Sequence, residues 1–172
     1  RDNLINSYDN TIRYTDQFLA KLIIMLEACG NEAAMVYTSD HGEDIYDDDR
    51  QLFLHASPVP SYYQLHVPFL VWMSTSYRTA HPASWEATCG NTPRTVASSV
   101  AFFHTALDLA CIQSTALDRS KSVASHIYKE SPLLYLDDHN EAVPLPDMLG
   151  LQDMTRLADL GIVISDPQIA RR

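Results

Sequence analysis

A short apolar run leads into adjacent acidic and imidazole side chains, and this pattern limits the folds that the chain can adopt. Residues 33–37 have the composition of a buried β-strand, and Asp40, His41 and Gly42 follow shortly after it. Open α/β sheets place their ligand sites at the carboxyl ends of strands, and this donor mixture suits zinc, with manganese as a second candidate. Gly42 is expected to let the backbone turn sharply after the two donors. The alternative is an Asp-capped turn beside an ordinary histidine.

Size and charge narrow the class of protein. The 172 residues are enough for one domain with a core, and we predict a single domain over 1–172. No run of 18 or more apolar residues is present, so no transmembrane helix is predicted. The net charge of −10 argues against nucleic acid as a partner. Because the sequence starts at Arg1 within a helical pattern, without Met or a signal peptide, we expect a fragment of a longer protein.

Two groups of side chains leave alternatives open. Aspartates follow the Asp-His pair closely and form either a solvated loop or a negative field that attracts a cation or an aminoalcohol head group: Asp44, Asp47, Asp48 and Asp49. The odd number of cysteines, Cys29, Cys89 and Cys111, contains no C-x-x-C pair, which excludes a cysteine-rich zinc module. One disulfide with one free thiol fits an extracytoplasmic compartment, but the sequence does not fix this arrangement.

Apolar periodicity and turn residues predict an α/β order of elements. The first half is predicted to hold an amphipathic helix packed on a sheet (3–28), a strand (33–39), a loop (42–65) and a buried, central parallel strand (66–73). The second half is predicted to hold an irregular segment (74–94), a helix capped by Thr92 or Thr95 (95–111), a turn into a short helix (117–122), a hairpin (133–145) and a final helix (147–160).

Four segments match, in order, those of a known family. They are residues 8–16, 37–43, 54–55 and 66–72, and they include Ser-Asp-His-Gly-Glu and His-Val-Pro. On these residues the chain resembles the alkaline-phosphatase and sulfatase superfamily, and within it the membrane-anchored phosphoethanolamine transferases of Gram-negative bacteria. The resemblance implies an α/β fold, with an alkaline-phosphatase-like sheet flanked by helices, of which this chain forms the C-terminal portion.

The resemblance also implies roles for individual side chains. Asp40, His41 and His55 are expected to bind the metal, although His55 by itself reads as a surface histidine. His55 and His66 are candidate proton donors or acceptors, with a structural hydrogen bond as the alternative for His66. Glu43 is expected to orient His41 as a supporting carboxylate. The remaining ligand and a threonine nucleophile are expected upstream of this chain, which alone should bind metal weakly and turn over nothing.

The implied activity is a zinc-dependent transfer of phosphoethanolamine, or a related phospho-group, through a phosphoenzyme. The donor would be a phospholipid and the acceptor a lipid or glycan hydroxyl, at the periplasmic face of the bacterial inner membrane, where a missing N-terminal region would supply the anchor. The alternatives are a sulfatase or phosphodiesterase of the same superfamily, and a non-catalytic binding module. Residues 89–94 do not form the sulfatase nucleophile Cys/Ser-x-Pro-x-Arg, because Pro93 lies next to Arg94.

Overall fold

The structure is a computed structural model that describes residues 1–55, 59–136, 139 and 141–161. Its helices are α1 (Asp2–Ala28), α2 (Tyr62–Leu65), α3 (Thr75–Ala80), α4 (Pro82–Asn91), α5 (Ser98–Leu109), α6 (Leu145–Met148) and α7 (Leu151–Asp159), with a 3-10 turn at Arg119–Lys121. Its strands are β1 (Ala34–Thr38), β2 (Asp44–Ile45), β3 (Phe53–Leu54), β4 (Phe69–Met73), β5 (Leu134–Leu136) and β6 (Ala142–Pro144). The predicted C-terminal hairpin is present as β5 and β6, although part of its turn lies outside the described residues.

The long first helix is present as predicted, but it is largely exposed. It ends beside Gly30, whose positive φ of 68° suits the stop that the sequence indicated. No residue of α1 is fully buried in the described part, and Ile12, Phe18 and Met25 are each more than half exposed. The apolar face of α1 is half-buried, as an amphipathic helix requires, and includes Leu19, Leu22 and Leu26. Its packing on a sheet stays a prediction. A helix of 27 residues is about 40 Å long, whereas β1 and β4 form a narrow two-stranded sheet in the described residues.

The pair of β1 and β4 determines where the Asp-His segment lies. The strands are antiparallel, with Ala34 opposite Met73 and Thr38 opposite Phe69. The predicted parallel orientation of the second strand is therefore wrong, because an apolar run predicts burial on both faces but carries no information about direction. The carboxyl end of β1 consequently lies beside the amino end of β4. A site that follows β1 is therefore at the carboxyl end of one strand and at the amino end of the other.

Residues 42–65, which we predicted as a loop, contain short regular elements. The strands β2 and β3 pair antiparallel, with Asp44 opposite Leu54 and Ile45 opposite Phe53. Because this hairpin returns the chain to its starting point, His55 lies next to the segment that follows β1. The helix α2 then begins after Ser61, whose side chain accepts a hydrogen bond from the backbone N–H of Gln64.

We predicted an irregular segment over residues 74–94, but most of it forms the two helices α3 and α4. Ser74 caps α3 by accepting from the backbone N–H of Tyr77 at 3.1 Å. Pro82 occupies the first turn of α4, where its missing N–H costs no hydrogen bond. The helices are short and rich in polar residues, so no apolar periodicity is apparent in the sequence. The two residues that mark their starts, Ser74 and Pro82, are nevertheless recognisable.

The helix α5 confirms the prediction for 95–111 in outline but not in its cap. It begins after Ala97, which makes no side-chain capping bond, so neither Thr92 nor Thr95 caps it. The short helix predicted after residue 117 is the 3-10 turn, and the side chain of Asp118 caps it by accepting from the backbone of Ser120.

The core lies between the β1–β4 pair and the helices α3 and α5. Its fully buried apolar residues form two neighbouring clusters: Met73, Tyr77, Leu109 and Ala124; and Ala101, Val123 and Tyr128. A separate cluster joins the C-terminal elements to α2: Leu145, Leu149 and Leu157, with Tyr62 and Leu65 packed against them. The C-terminal hairpin and α7 therefore pack against the segment that supports the loop after β1.

An ion pair ties α7 to the β2–β3 hairpin. The Arg50 guanidinium donates to both oxygens of Asp153, at 2.6 and 3.0 Å, and also to the Asp48 carboxylate. The side chain of Asp153 is 1% exposed and accepts in addition from the backbone N–H of Tyr62 at 2.9 Å. The hydrogen bonds that Arg50 donates to Asp48 and Asp153 raise the pKa of Arg50 and hold the pKa of Asp48 below its usual range. One buried carboxylate thus connects three elements.

We predict that Asp153→Ala lowers the free energy of unfolding by about 3 kcal/mol, because it leaves the Arg50 guanidinium without its buried partner. Urea denaturation followed by far-UV circular dichroism measures the change. Asp159→Ala in the same helix is the control and should change the free energy by less than about 0.5 kcal/mol, because Asp159 is exposed. Equal effects of the two substitutions would contradict the assigned role of the ion pair.

Candidate metal centre

The two donors after β1 are held by their own backbone. The Nδ1 atom of His41 lies 3.0 Å from the carbonyl oxygen of Gly42. A carbonyl can only accept, so Nδ1 carries the proton and Nε2 keeps a free lone pair. Nε2 lies 3.7 Å from Oδ2 of Asp40. Metal-binding histidines usually donate their other ring N–H to a carbonyl or carboxylate in this way, which fixes the ring and its tautomer.

The carboxylate of Asp40 is open to solvent, with a side chain that is 86% exposed. Its Oδ1 accepts from the backbone N–H of His41 at 3.0 Å and from the Ser39 hydroxyl at 3.4 Å. Backbone N–H donors, first that of His41 and then that of Asp40 itself, hold the pKa of Asp40 below its usual range. Asp40 is therefore an ionised oxygen donor at neutral pH, with Oδ2 directed toward the ring of His41.

The hairpin brings His55 and Glu43 to the same place. Nδ1 of His55 lies 2.9 Å from Oε1 and 3.1 Å from Oε2 of Glu43, and the ring centroids of His41 and His55 are 3.9 Å apart. Donor atoms of His41, Glu43 and His55 all lie within 4.8 Å of one another. Glu43 lies closer to His55 than to His41, whose Nδ1 is 3.9 Å away. The expected partner of Glu43 was His41.

Buried polar contacts fix the backbone that carries these donors. The N–H of Gly42 donates to the carbonyl of Gln64 at 2.8 Å, and a Cβ added at Gly42 would overlap with the carbonyl of Tyr63. Asp44, 2% exposed, accepts from the Ser61 hydroxyl at 2.6 Å and from the side-chain amide of Gln64. The close approach of Tyr63, rather than a left-handed turn, requires glycine at this position.

These supporting residues were missed in the sequence analysis, although one signal pointed to them. Ser61 and Gln64 have the S-x-x-Q spacing of a helix start. Tyr8 of α1 also lies beside the site, where burial, and then the charge of Glu43, raise the pKa of its hydroxyl. The contacts of Ser61 and Gln64 with Asp44 could not be predicted from a repeat in the sequence, because they depend on the tertiary fold.

The acidic residues after the site have different environments. Asp44 is buried, Asp48 binds Arg50, and Asp47 accepts from the backbone N–H of Ile45 at 2.8 Å, whereas Asp49 is exposed. Neither a freely solvated loop nor a single cation-attracting field describes the group, because three of the four carboxylates bind donors within the protein.

His66 is at the same edge of the β1–β4 pair but does not belong to the donor cluster of the described residues. Its exposed ring lies with Nδ1 2.5 Å from the hydroxyl of Tyr62. It lines a cavity of about 430 Å³ whose walls are mainly apolar and include Phe69, Leu149 and the polar Arg94. His66 therefore makes a structural hydrogen bond, which was the alternative to a role in the site. The three cysteines are all free and exposed, so the disulfide left open by the sequence is not present.

Comparison with known proteins identifies the family. The sulfatase family model matches residues 1–112, more than half of the chain. The chain belongs to the sulfatase family. A relative is the phosphoethanolamine transferase EptC of Escherichia coli (strain K12), 30% identical over 127 residues, which are 73% of this chain and 21% of that protein. The chain thus spans about a fifth of the length of this relative.

Two crystal structures of the C-terminal periplasmic domain of Escherichia coli EptC share the fold. Each is 26% identical and covers 81% of this chain and 39% of the solved chain. The TM-scores are 0.68 for the first and 0.60 for the second, which is a complex with Zn. The predicted fold class, the C-terminal portion of an alkaline-phosphatase-like α/β domain, is confirmed. In the described residues, no helix combines the length and hydropathy that a membrane span requires.

We predict that Gly42→Ala lowers the free energy of unfolding by about 1–3 kcal/mol, because its methyl group would displace the Tyr63 carbonyl. Thermal and urea unfolding measure the loss. Gly90→Ala is the matched control: Gly90 lies in α4 with open space around its Cα, so alanine should stabilise the helix by up to about 1 kcal/mol. A stable Gly42→Ala protein would show that the close approach does not constrain the loop.

Proposed function

We propose that this chain is the metal-binding C-terminal part of a phosphoethanolamine transferase. The group transferred is phosphoethanolamine or a related phospho-group, the donor is a phospholipid, and the acceptor is a lipid or glycan hydroxyl. The reaction proceeds through a phosphoenzyme formed on a residue outside this chain, in a protein at the periplasmic face of the bacterial inner membrane. Similarity to EptC and to its periplasmic domain supports the reaction class and the location.

The observation that carries the proposal is the convergence of His41, Glu43 and His55, with Asp40 beside His41. Two imidazoles with carboxylates form a donor set that zinc accepts in catalytic sites. The side chains of the two histidines are 40% and 51% exposed, so an ion and a substrate can reach them. The Zn complex of the solved EptC domain also supports zinc. Manganese stays the second candidate on donor chemistry alone.

The contacts favour distinct roles for the four side chains. Asp40 offers an ionised oxygen, and His41 offers Nε2, because Nδ1 is bound to the Gly42 carbonyl. We assign the metal to Asp40, His41 and His55, and we assign Glu43 to the orientation of His55 through its Nδ1. When bound, zinc would neutralise charge on the phosphoryl oxygens and activate a hydroxyl nucleophile.

We assign proton transfer to the exposed imidazoles of His55 and His66. The Glu43 carboxylate accepts the Nδ1 proton of His55, which leaves Nε2 of His55 free to bind the metal or to exchange a proton with the substrate. His66 is held by the Tyr62 hydroxyl at the edge of the apolar cavity, where it can protonate a leaving oxygen from the substrate side. Both histidines lie in the connection between β1 and β4.

We predict a graded loss of zinc affinity among variants of the 172-residue chain. Asp40→Asn and His41→Ala remove a proposed ligand and should weaken binding by more than about 100-fold, whereas Glu43→Gln removes an orienting group and should weaken it about 10-fold. Isothermal titration calorimetry measures the affinities. Asp49→Asn changes an exposed carboxylate of the same loop and should leave the affinity unchanged.

The order of these effects tests the assignment. A larger loss for Glu43→Gln than for Asp40→Asn would make Glu43 a ligand and Asp40 a turn-capping residue. An affinity that none of the substitutions changes would place zinc elsewhere on the chain.

We also predict that the chain alone binds zinc weakly and does not turn over substrate, because the nucleophile and a further ligand lie outside it. The complete gene product should transfer the head group of labelled phosphatidylethanolamine to a glycolipid acceptor, and His55→Ala should lower the rate by at least about 10-fold. Hydrolysis of aryl sulfate or of aryl phosphodiester without transfer would instead identify a sulfatase or a phosphodiesterase. Zinc binding without any turnover by the complete protein would favour a non-catalytic binding module.

A further inference from the structure

A second cluster of reactive side chains lies at the opposite end of β1 from the metal centre. The Sγ atom of Cys111 lies 4.0 Å from Nδ1 of His81, and Nε2 of His81 lies 2.9 Å from Oε2 of Glu32. Glu32 precedes β1, His81 joins α3 to α4, and Cys111 follows α5. A thiol, an imidazole and a carboxylate from distant positions in the chain are therefore neighbours in space, with the imidazole between the other two.

The order of these groups fixes the state of the imidazole. An ionised carboxylate can only accept a hydrogen bond, so Nε2 of His81 carries the proton that faces Glu32. Nδ1 is then the unprotonated nitrogen, and it faces the sulfur of Cys111. The imidazole can take the thiol proton, and the Glu32 carboxylate stabilises the resulting positive charge. Cysteine nucleophiles are activated by an oriented base of this kind.

The backbone holds Cys111 in a conformation that non-glycine residues seldom adopt. Its φ is 55°, and it occupies the position after α5 that glycine usually takes. The N–H of Cys111 donates to the carbonyl of Asp108, and that of Ile112 donates to the carbonyl of Leu107, both at 3.0 Å. These two bonds form a Schellman motif, which fixes the position of the Cβ atom that carries the sulfur.

The imidazole is also held from its other side. The rings of Tyr77 and His81 have centroids 4.5 Å apart, and the Tyr77 hydroxyl donates to the carbonyl of Leu109 at 2.6 Å. Burial, and secondly the neighbouring sulfur of Cys111, raise the pKa of Tyr77 to about 12, so the hydroxyl stays protonated and keeps this bond. Tyr77 thus connects the end of α5 to the ring that faces the thiol.

Cys111 differs in this respect from the other two cysteines. Cys29, Cys89 and Cys111 are all exposed and free. Among the described residues, Cys111 is the cysteine whose sulfur has an imidazole within hydrogen-bonding distance. Exposure alone therefore does not distinguish the three thiols. Cys29 and Cys89 can serve as reference thiols that show how the neighbouring histidine changes the reactivity of Cys111.

We propose that Cys111 is a modification site, a thiol activated by His81 and Glu32 that forms mixed disulfides with low-molecular-weight disulfides. The thiol proton passes to Nδ1 of His81, and Sγ attacks one sulfur of the disulfide. The new S–S bond forms as the old one breaks, so Cys111 is oxidised and the leaving sulfur is reduced. The departing thiolate takes the proton from the imidazolium, which restores the neutral ring.

The experiment uses the 172-residue chain with one cysteine at a time. Cys29→Ser with Cys89→Ser leaves Cys111, and Cys29→Ser with Cys111→Ser leaves Cys89 as the matched thiol. Oxidised glutathione and iodoacetamide are each added at neutral pH, and intact-mass spectrometry follows the reaction with time. An unactivated thiol is only a few per cent ionised at this pH, so Cys111 should react at least about 10-fold faster than Cys89.

Substitution of the partners separates activation from simple exposure. In the protein that keeps Cys111, His81→Asn should reduce the rate to that of Cys89, and Glu32→Gln should reduce it partly, whereas His126→Asn, at an exposed histidine, should leave it unchanged. Circular dichroism checks the fold of each variant, and the exposed, isosteric Glu32→Gln decides the outcome if His81→Asn unfolds. Equal rates for Cys111 and Cys89, or a rate insensitive to Glu32→Gln, would overturn the proposal.

Discussion

Gly42 lies where the carbonyl of Tyr63 leaves no space for a side chain, and its N–H binds the carbonyl of Gln64. This contact joins the segment after β1 to the start of α2. The buried Asp44 strengthens the junction by accepting from Ser61 and Gln64. Because the donors on either side of Gly42 have little freedom once the backbone is fixed here, the proposed metal centre depends on a contact that contains none of its proposed ligands.

In the proposed metal site, the side chains that fix the backbone are different from those that we assign to the ion. Asp44 and Asp153 are almost fully buried, and each accepts several hydrogen bonds, as a buried carboxylate must. Asp40 and His55 are exposed. A rigid, satisfied support under an open set of donors is the arrangement that an ion-binding site needs. The C-terminal helix contributes to this support through Asp153 and Arg50, although it carries none of the proposed ligands.

The sequence was most informative where a local pattern decides the structure. The apolar run of β1 and the long period of α1 were predictable, because a strand and a helix each leave a short-range signature. The assignment of Asp40 and His41 as metal donors stays a prediction. The direction of β4 was not predictable, since an apolar run has the same composition in a parallel or an antiparallel pair. The short helices α3 and α4 were missed because their polar faces outweigh two start signals, Ser74 and Pro82.

The position of His55 required tertiary information. Chain length permits this residue to lie anywhere on a loop, and it is the antiparallel pairing of β2 and β3 that returns it to Glu43. The family resemblance supplied the expectation of a role for His55, but not its partner. The assignment of Glu43 to His55, rather than to His41, follows from the shorter distance between the Glu43 carboxylate and the His55 ring. The spacing of these residues along the sequence does not predict that distance.

Anomalous scattering at the zinc absorption edge, measured on a crystal of this chain grown with zinc, would locate the ion directly. We predict a single strong peak about 2 Å from Nε2 of His41, from a carboxylate oxygen of Asp40 and from a ring nitrogen of His55. A peak bound to Glu43 with Asp40 turned away would contradict the assigned ligands. A zinc ion remote from His41 would contradict the central claim that this loop is the metal centre.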